Sequence, residues 1–241
     1  MFFMTWIKIC GTTNLADANA AVAAGADALG FIFAESPRRI APAEARKIIE
    51  KLPAAVEKVG VFVNETPERM HAIIEETGLT AVQLQGEETP DIANKLKHLH
   101  ATRRGRLHIF KALGVAPGIE GVIREFTSSA SIDGVLLDSF AARAAGQVEG
   151  KQRAARGGTG KTFDWKRAAA FVPGLARRTR VIIAGGLSPA NVREAIHMLS
   201  PWGVDVCSGV EESPGKKDPA KVRAFMRAAR AATRSRSAFT D

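Results

Sequence analysis

The chain reads as a protein of the α/β class, a single closed (β/α)8 TIM barrel, and three observations lead there. Eight short apolar runs alternate with eight helix-length segments along the 241 residues. That length suits one barrel domain, for which about 250 residues are typical. No Gly-x-Gly-x-x-Gly opens the first helical segment, which weakens the alternative of an open sheet that binds a dinucleotide.

Taken in order, the runs at 6–10, 28–33, 56–63, 81–84, 108–112, 134–138, 180–184 and 204–207 are rich in Val, Ile, Leu, Phe or Ala. That composition fits parallel strands buried on both faces. The segments between them carry helix punctuation. Segment 14–24 starts at Asn14 and ends at Gly25, 42–52 starts on Pro42 and stops at Pro53, and 67–77 starts on Pro67 and ends at Gly78. Proline also opens 90–99, 117–126, 189–199 and 219–232, and 163–171 completes the set. Residues 1–241 are expected to form one domain, with a basic, frayed tail from about 233.

Charge narrows the partners. The net charge of +9 is segmental: residues 216–236 carry +7, 139–156 carry +3, Arg103, Arg104 and Arg106 add +3, and the remainder is −4. Aromatic residues do not interleave with the basic ones and tyrosine is absent, so a stacking platform for nucleic acid is not indicated. A basic terminal helix that binds nucleic acid is the rival reading from a different class. No 18-residue apolar stretch is present, and Met1 to Trp6 lack the features of a signal peptide. Two cysteines give neither a disulfide framework nor a zinc spacing. A soluble cytoplasmic protein with no membrane or nucleic-acid partner is expected, as a monomer or weak homodimer.

Candidate chemistry sits at the strand ends, where such barrels place their catalytic side chains. Cys10 closes the first run directly before Gly11, and Asp138 closes the sixth. A thiol and an acid on separate strands suit proton abstraction and donation on one small substrate. A cysteine in an apolar run also serves as a small buried hydrophobe, and an Asp after a strand as a turn-former, so neither residue is decisive alone. Gly185-Gly186 follows the seventh run and Ser208-Gly209 the eighth, the two loops that usually cradle phosphate in these barrels. Each pair could also simply make a tight turn. Gly157-Gly158-Thr159-Gly160-Lys161 misses the P-loop spacing, and with the long 139–156 stretch before it reads as a hinged lid over the mouth.

Further motifs extend this pattern: Lys8-Ile9-Cys10-Gly11, Gly25-Ala26-Asp27-Ala28-Leu29-Gly30, Ser36-Pro37-Arg38, Val59-Gly60-Val61-Phe62-Val63-Asn64 and Val82-Gln83-Leu84-Gln85-Gly86-Glu87. Leu136-Leu137-Asp138, Gly157 to Trp165, Ala184-Gly185-Gly186-Leu187 with Asn191-Val192, and Val204-Asp205-Val206 with Ser208-Gly209-Val210-Glu211 complete it. In these the chain resembles the phosphoribosylanthranilate isomerases of tryptophan biosynthesis, from about Lys8 to about Phe225. Gln85 departs from the family's usual His, Cys207 from its usual Ser, and the 139–156 stretch is longer than the usual connection.

The resemblance implies a cofactor- and metal-independent Amadori rearrangement of N-(5-phosphoribosyl)anthranilate to 1-(2-carboxyphenylamino)-1-deoxyribulose 5-phosphate. Asp138 is the expected acid and Cys10 the expected base. Lys8, two residues before Cys10 on the same strand face, offers a positive charge to a thiolate. Asp205 would help hold the proton on Asp138. Arg38 suits a forked contact with the anthranilate carboxylate. Gln85, Gly158, Gly185, Gly186, Ser208 and Gly209 complete the expected substrate-binding set. The eighth strand lies beside the first in a closed barrel, so Cys10 and Cys207 are expected as neighbours.

Overall fold

The computed structural model describes residues 4–101, 105–139 and 162–237. Eight parallel strands close into a barrel in chain order. They are β1 (Trp6–Ile9), β2 (Ala28–Ile32), β3 (Glu57–Phe62), β4 (Ala81–Leu84), β5 (His108–Gly114), β6 (Gly134–Asp138), β7 (Arg180–Ile183) and β8 (Gly203–Val206). Closure is made by β8 against β1, with Trp6 opposite Gly203 and Ile9 opposite Val206. The last residues of the first and last strands therefore lie side by side.

The helices are α1 (Leu15–Ala23), α2 (Pro42–Ile49), α3 (Pro67–Thr77), α4 (Pro90–His100), α5 (Ile119–Thr127), α6 (Trp165–Ala168), α7 (Val172–Leu175), α8 (Val192–Leu199) and α9 (Pro219–Ser237). Local chemistry sets their limits. Asn14 caps α1 by accepting from the Asp17 amide at 2.9 Å. Thr66 does the same for α3 through the Arg69 amide, and Gly78 ends α3 in the left-handed conformation at φ 77°.

Three differences from the sequence reading have local causes. The helix expected over 163–171 shortens to α6, and a separate α7 starts just beyond it at Val172, where Pro173, which lacks an amide hydrogen, fits a first turn. The helix expected from 189 starts at Val192, since Asn191 first closes a turn by accepting from the Ser188 amide and donating to the Gly186 carbonyl. A hairpin of β9 (Glu211–Ser213) and β10 (Lys216–Lys217) follows a 3-10 turn at Ser208–Val210, none of it expected. The lid stretch from 140 and the Gly158 motif lie outside the described residues. Among those residues no helix is long and apolar enough to cross a membrane.

Two apolar layers hold the barrel. The larger lies between strands and helices and includes Ile7, Ile9, Phe31, Leu84, Leu137 and Phe225, all but inaccessible to solvent. The smaller fills the lumen at the ends where the strands begin, with Ala28, Val59, Ala81, Phe110, Leu136 and Ile182. There Trp6 stacks on Trp202 at 5.1 Å and meets Phe110 at 5.8 Å between ring centroids. This plug closes the bottom and leaves the far end of the lumen to polar groups.

Candidate active site

Alternation along β1 puts Lys8 one layer above Trp6, and Cys10 one layer above Lys8. Lys8 is 1% exposed, and a charge so deeply buried needs partners. Its Nζ lies 3.0 Å from Asp205 Oδ1 across the β1–β8 seam. It also donates to Gln83 Oε1 at 2.7 Å.

Because an ammonium only donates, Gln83 must turn its carbonyl toward Lys8 and its amide away. That amide donates to Gln85 Oε1 at 2.5 Å, and Gln85 Nε2 in turn reaches Asp138 Oδ2 at 3.4 Å. One chain of polar contacts thus crosses the lumen from Asp205 through Lys8, Gln83 and Gln85 to Asp138. The other oxygen of Asp138 accepts from the Ser139 backbone amide at 2.6 Å. Burial pushes the Asp138 carboxyl above its ordinary range, aided by the charge of Asp205 and opposed by the bonds from Ser139 and Gln85.

Cys10 is buried, with its amide donating to the Val206 carbonyl at 2.8 Å. Its thiol hydrogen-bonds with that of Cys207, the neighbour expected from barrel closure. The bond from Cys207 does most to lower the Cys10 pKa; burial opposes it and the charges of Lys8 and Lys217 assist. Cys207 is pushed well up, by the same bond and by burial. Cys207 Sγ also donates to Glu211 Oε1 at 3.9 Å and accepts from Lys217 Nζ at 3.9 Å. Lys8 remains protonated: burial works against its charge, and Asp205 and Cys10 outweigh burial to raise its pKa.

At the rim, Arg38 forks onto Glu211, with Nε 2.9 Å from Oε1 and Nη2 2.7 Å from Oε2. Lys217 Nζ reaches the same carboxylate at 2.8 Å. Burial would raise the Glu211 pKa, but Arg38 and Lys217 prevail and hold it below the usual carboxylate range. Arg38 is thus pinned at the edge of the mouth, in a pose that Glu211 dictates.

The two glycine loops meet on the other side of the mouth. Gly185 has φ 76°, and a Cβ there would lie 2.5 Å from Asp138 Oδ1, so the loop after β7 can pass over the acid only as glycine. A Cβ on Gly209 would press into the Leu187 carbonyl, which makes glycine the condition for the loops after β7 and β8 to touch. Gly186 and Ser208 flank that contact and are half-buried.

The structure thus gathers Lys8, Cys10, Gln85, Asp138 and Asp205 in and above the upper lumen, with Arg38 and the loop residues at the rim. The sequence reading missed Gln83, Ser139, Glu211 and Lys217 as members. Gln83 was within reach, since it shares a strand face with Gln85 at a period of two. Glu211 and Lys217 belong to a hairpin that left no periodic signal.

The family model for N-(5'-phosphoribosyl)anthranilate (PRA) isomerase matches residues 7–228. The N-(5'-phosphoribosyl)anthranilate isomerase of Pelobacter propionicus is 42% identical over 235 residues, covering 97% of this chain and 99% of that protein. A crystal structure of phosphoribosyl anthranilate isomerase in complex with reduced 1-(o-carboxyphenylamino)-1-deoxyribulose 5-phosphate is 37% identical and superimposes with a TM-score of 0.74 over 95% of this chain and all of that one. A structure of monomers generated from the dimeric enzyme of Thermotoga maritima gives the same identity, coverage and TM-score.

Proposed function

We propose the roles of individual residues from one premise: the chain belongs to the N-(5'-phosphoribosyl)anthranilate isomerase family. It is an isomerase of tryptophan biosynthesis, and its reaction is the rearrangement of N-(5-phosphoribosyl)anthranilate to 1-(2-carboxyphenylamino)-1-deoxyribulose 5-phosphate. The observation that supports the assignment of acid and base is the placement of a buried thiol directly after β1 and a buried carboxyl at the end of β6, with shifts in opposite directions. The Cys10 thiol is lowered toward thiolate and the Asp138 carboxyl is raised toward the protonated acid.

Asp138 gives its proton to the ribose ring oxygen, the C1′–O bond breaks, and the anthranilate nitrogen takes the positive charge as a Schiff base. The Cys10 thiolate then removes the C2′ proton, and the electron pair moves to neutralise the iminium as an enolamine. Tautomerisation of the enolamine leaves the ketone. Lys8 stabilises the thiolate before the transfer, and Cys207 donates to it. Gln85 and Ser139 hold the Asp138 carboxyl in place, and Asp205 anchors Lys8.

The loops at Gly185-Gly186 and Ser208-Gly209 take the phosphate through backbone amides. Arg38, held through Nε and Nη2 by Glu211, takes the anthranilate carboxylate with the outer edge of its guanidinium, Nη1 and the second hydrogen of Nη2. We assign the chain one barrel domain, the cytoplasm as its site of action, small phosphorylated molecules rather than nucleic acid as its partners, and a monomeric or weakly dimeric state.

The direct test is fluorescence-monitored conversion of N-(5-phosphoribosyl)anthranilate by the purified chain without added metal. Turnover that is lost in Cys10→Ala and in Asp138→Asn is expected. Near-normal turnover in either variant would overturn the assignment of that residue.

A further inference from the structure

We propose that His71, Glu75 and His100 form a binding site for one zinc ion, or a cation of the same borderline class, that ties α3 to α4 at the end of the barrel away from its mouth. His71 and Glu75 stand four residues apart on α3, which puts them on one helix face. His100 is the last residue of α4. One ring nitrogen of each histidine and one carboxylate oxygen of Glu75 all lie within 4.8 Å of one another. The rings of His71 and His100 meet edge to face, 6.1 Å between centroids and 80° between planes.

A second observation points to a ligand. His71 Nδ1 is buried and has no hydrogen-bond partner, a costly condition for a ring nitrogen. A metal ion would use that kind of lone pair. Ligand atoms at zinc distances stand about 3.4 Å apart in a tetrahedral site, so binding requires a contraction from the observed spacing. Side-chain rotation can supply it, since Glu75 is exposed and both histidines are half-buried.

The donor set decides the class of cation. Two imidazoles and one carboxylate suit zinc, cobalt, nickel or copper, whereas calcium and magnesium prefer oxygen alone. Two neutral histidines and one carboxylate would leave one positive charge on the site, with a water in the fourth position. The location decides the role. Glu75 and His100 lie in the closing turns of helices that lead to the starting ends of β4 and β5, the face of these barrels associated with stability rather than chemistry. A cation there would join two neighbouring βα units whose ligands are 25 residues apart in the chain, a pairing that no local spacing announces.

The experiment is a calorimetric titration of zinc chloride into the untagged, metal-free protein, with melting temperature followed in parallel. One ion per chain is expected, with a rise in Tm of roughly 5–10 °C at zinc about a hundredfold above Kd. His71→Ala and His100→Ala should each weaken binding at least tenfold and remove the Tm rise, while isomerase activity in metal-free buffer stays at the wild-type level. His71→Gln, closer in size but a poor ligand, should give the same loss. Calcium and magnesium should leave the Tm unmoved. Cobalt(II) should give a spectrum without thiolate-to-metal charge transfer, which separates this site from Cys10 and Cys207. No zinc binding, binding unchanged in the histidine variants, or a thiolate spectrum would overturn the proposal.

Discussion

The two halves of the barrel lumen are built from the same alternating strands and filled with opposite chemistry. At the starting ends of the strands, Trp6, Phe110 and Trp202 stack into an apolar plug. One layer up, the same β1 contributes Lys8, β4 contributes Gln83 and β8 contributes Asp205, and a polar chain replaces the plug. The lower half gains from burial of aromatic surface, and the upper half buries charge that is tolerable only because each group is paired. Stability and reactivity are therefore separated along the barrel axis by a step of two residues.

The largest effect expected from breaking this division is in the plug. Phe110→Ala should cost about 3–5 kcal/mol of stability, the usual range for emptying an aromatic core site, and lower Tm by roughly 10 °C or more. The kcat of the folded fraction should remain close to wild type. Denaturant titration beside steady-state kinetics checks both, and a large loss of kcat at full folding would show that the halves are not independent.

Next comes the reverse experiment. Cys10→Ala and Asp138→Asn should each lower kcat by about a hundredfold or more with the fold intact. Asp138→Asn should also raise Tm at neutral pH. With its folded pKa raised, the wild-type carboxyl loses stability as pH climbs from about 3.8 through that raised value, and the neutral amide does not. The advantage of Asn should vanish below about pH 3.8. A variant less stable than wild type at neutral pH would show that Asp138 is held chiefly by its bonds to Ser139 and Gln85.

At the rim, Arg38→Ala should raise KM roughly tenfold with little change in kcat, because a charge-assisted contact made throughout the reaction is lost. Gly186→Val should weaken binding of product as well as substrate, measured by inhibition. If product bound that variant as tightly as wild type, the phosphate cradle would lie elsewhere.

The smallest effect is a shift of pH dependence. Cys207→Ala removes the hydrogen bond that does most to lower the Cys10 pKa, so the acid limb of kcat/KM, where the thiolate forms, should move to higher pH. Cys207→Ser should move it less, since a hydroxyl can donate the same bond. An unmoved limb in Cys207→Ala would leave Lys8 as the main support of the thiolate.

Much of the barrel was legible because its rules are local. Eight apolar runs and their capping prolines and glycines mark strands and helices without knowledge of what packs on them, and Cys10 and Asp138 stand out because each ends a run. The segment 163–171 holds only the short α6, with α7 starting beyond it beside Pro173, and the hairpin after β8 leaves no signal because Glu211 to Lys217 show no alternation of polar and apolar residues.

Local pattern by itself determined the strand count, the closed topology it implies, and the positions of acid, base and glycine loops. Only the tertiary structure decided what those groups meet. Lys8 and Gln83 are 75 residues apart and share a hydrogen bond, and Arg38 reaches Glu211 across 173 residues. Such contacts depend on barrel closure and register, which bring strand ends together regardless of their distance in the chain. A pKa follows from burial and charged neighbours rather than from the side chain alone, so the opposed shifts of Cys10 and Asp138 exist only once the lumen has closed around them.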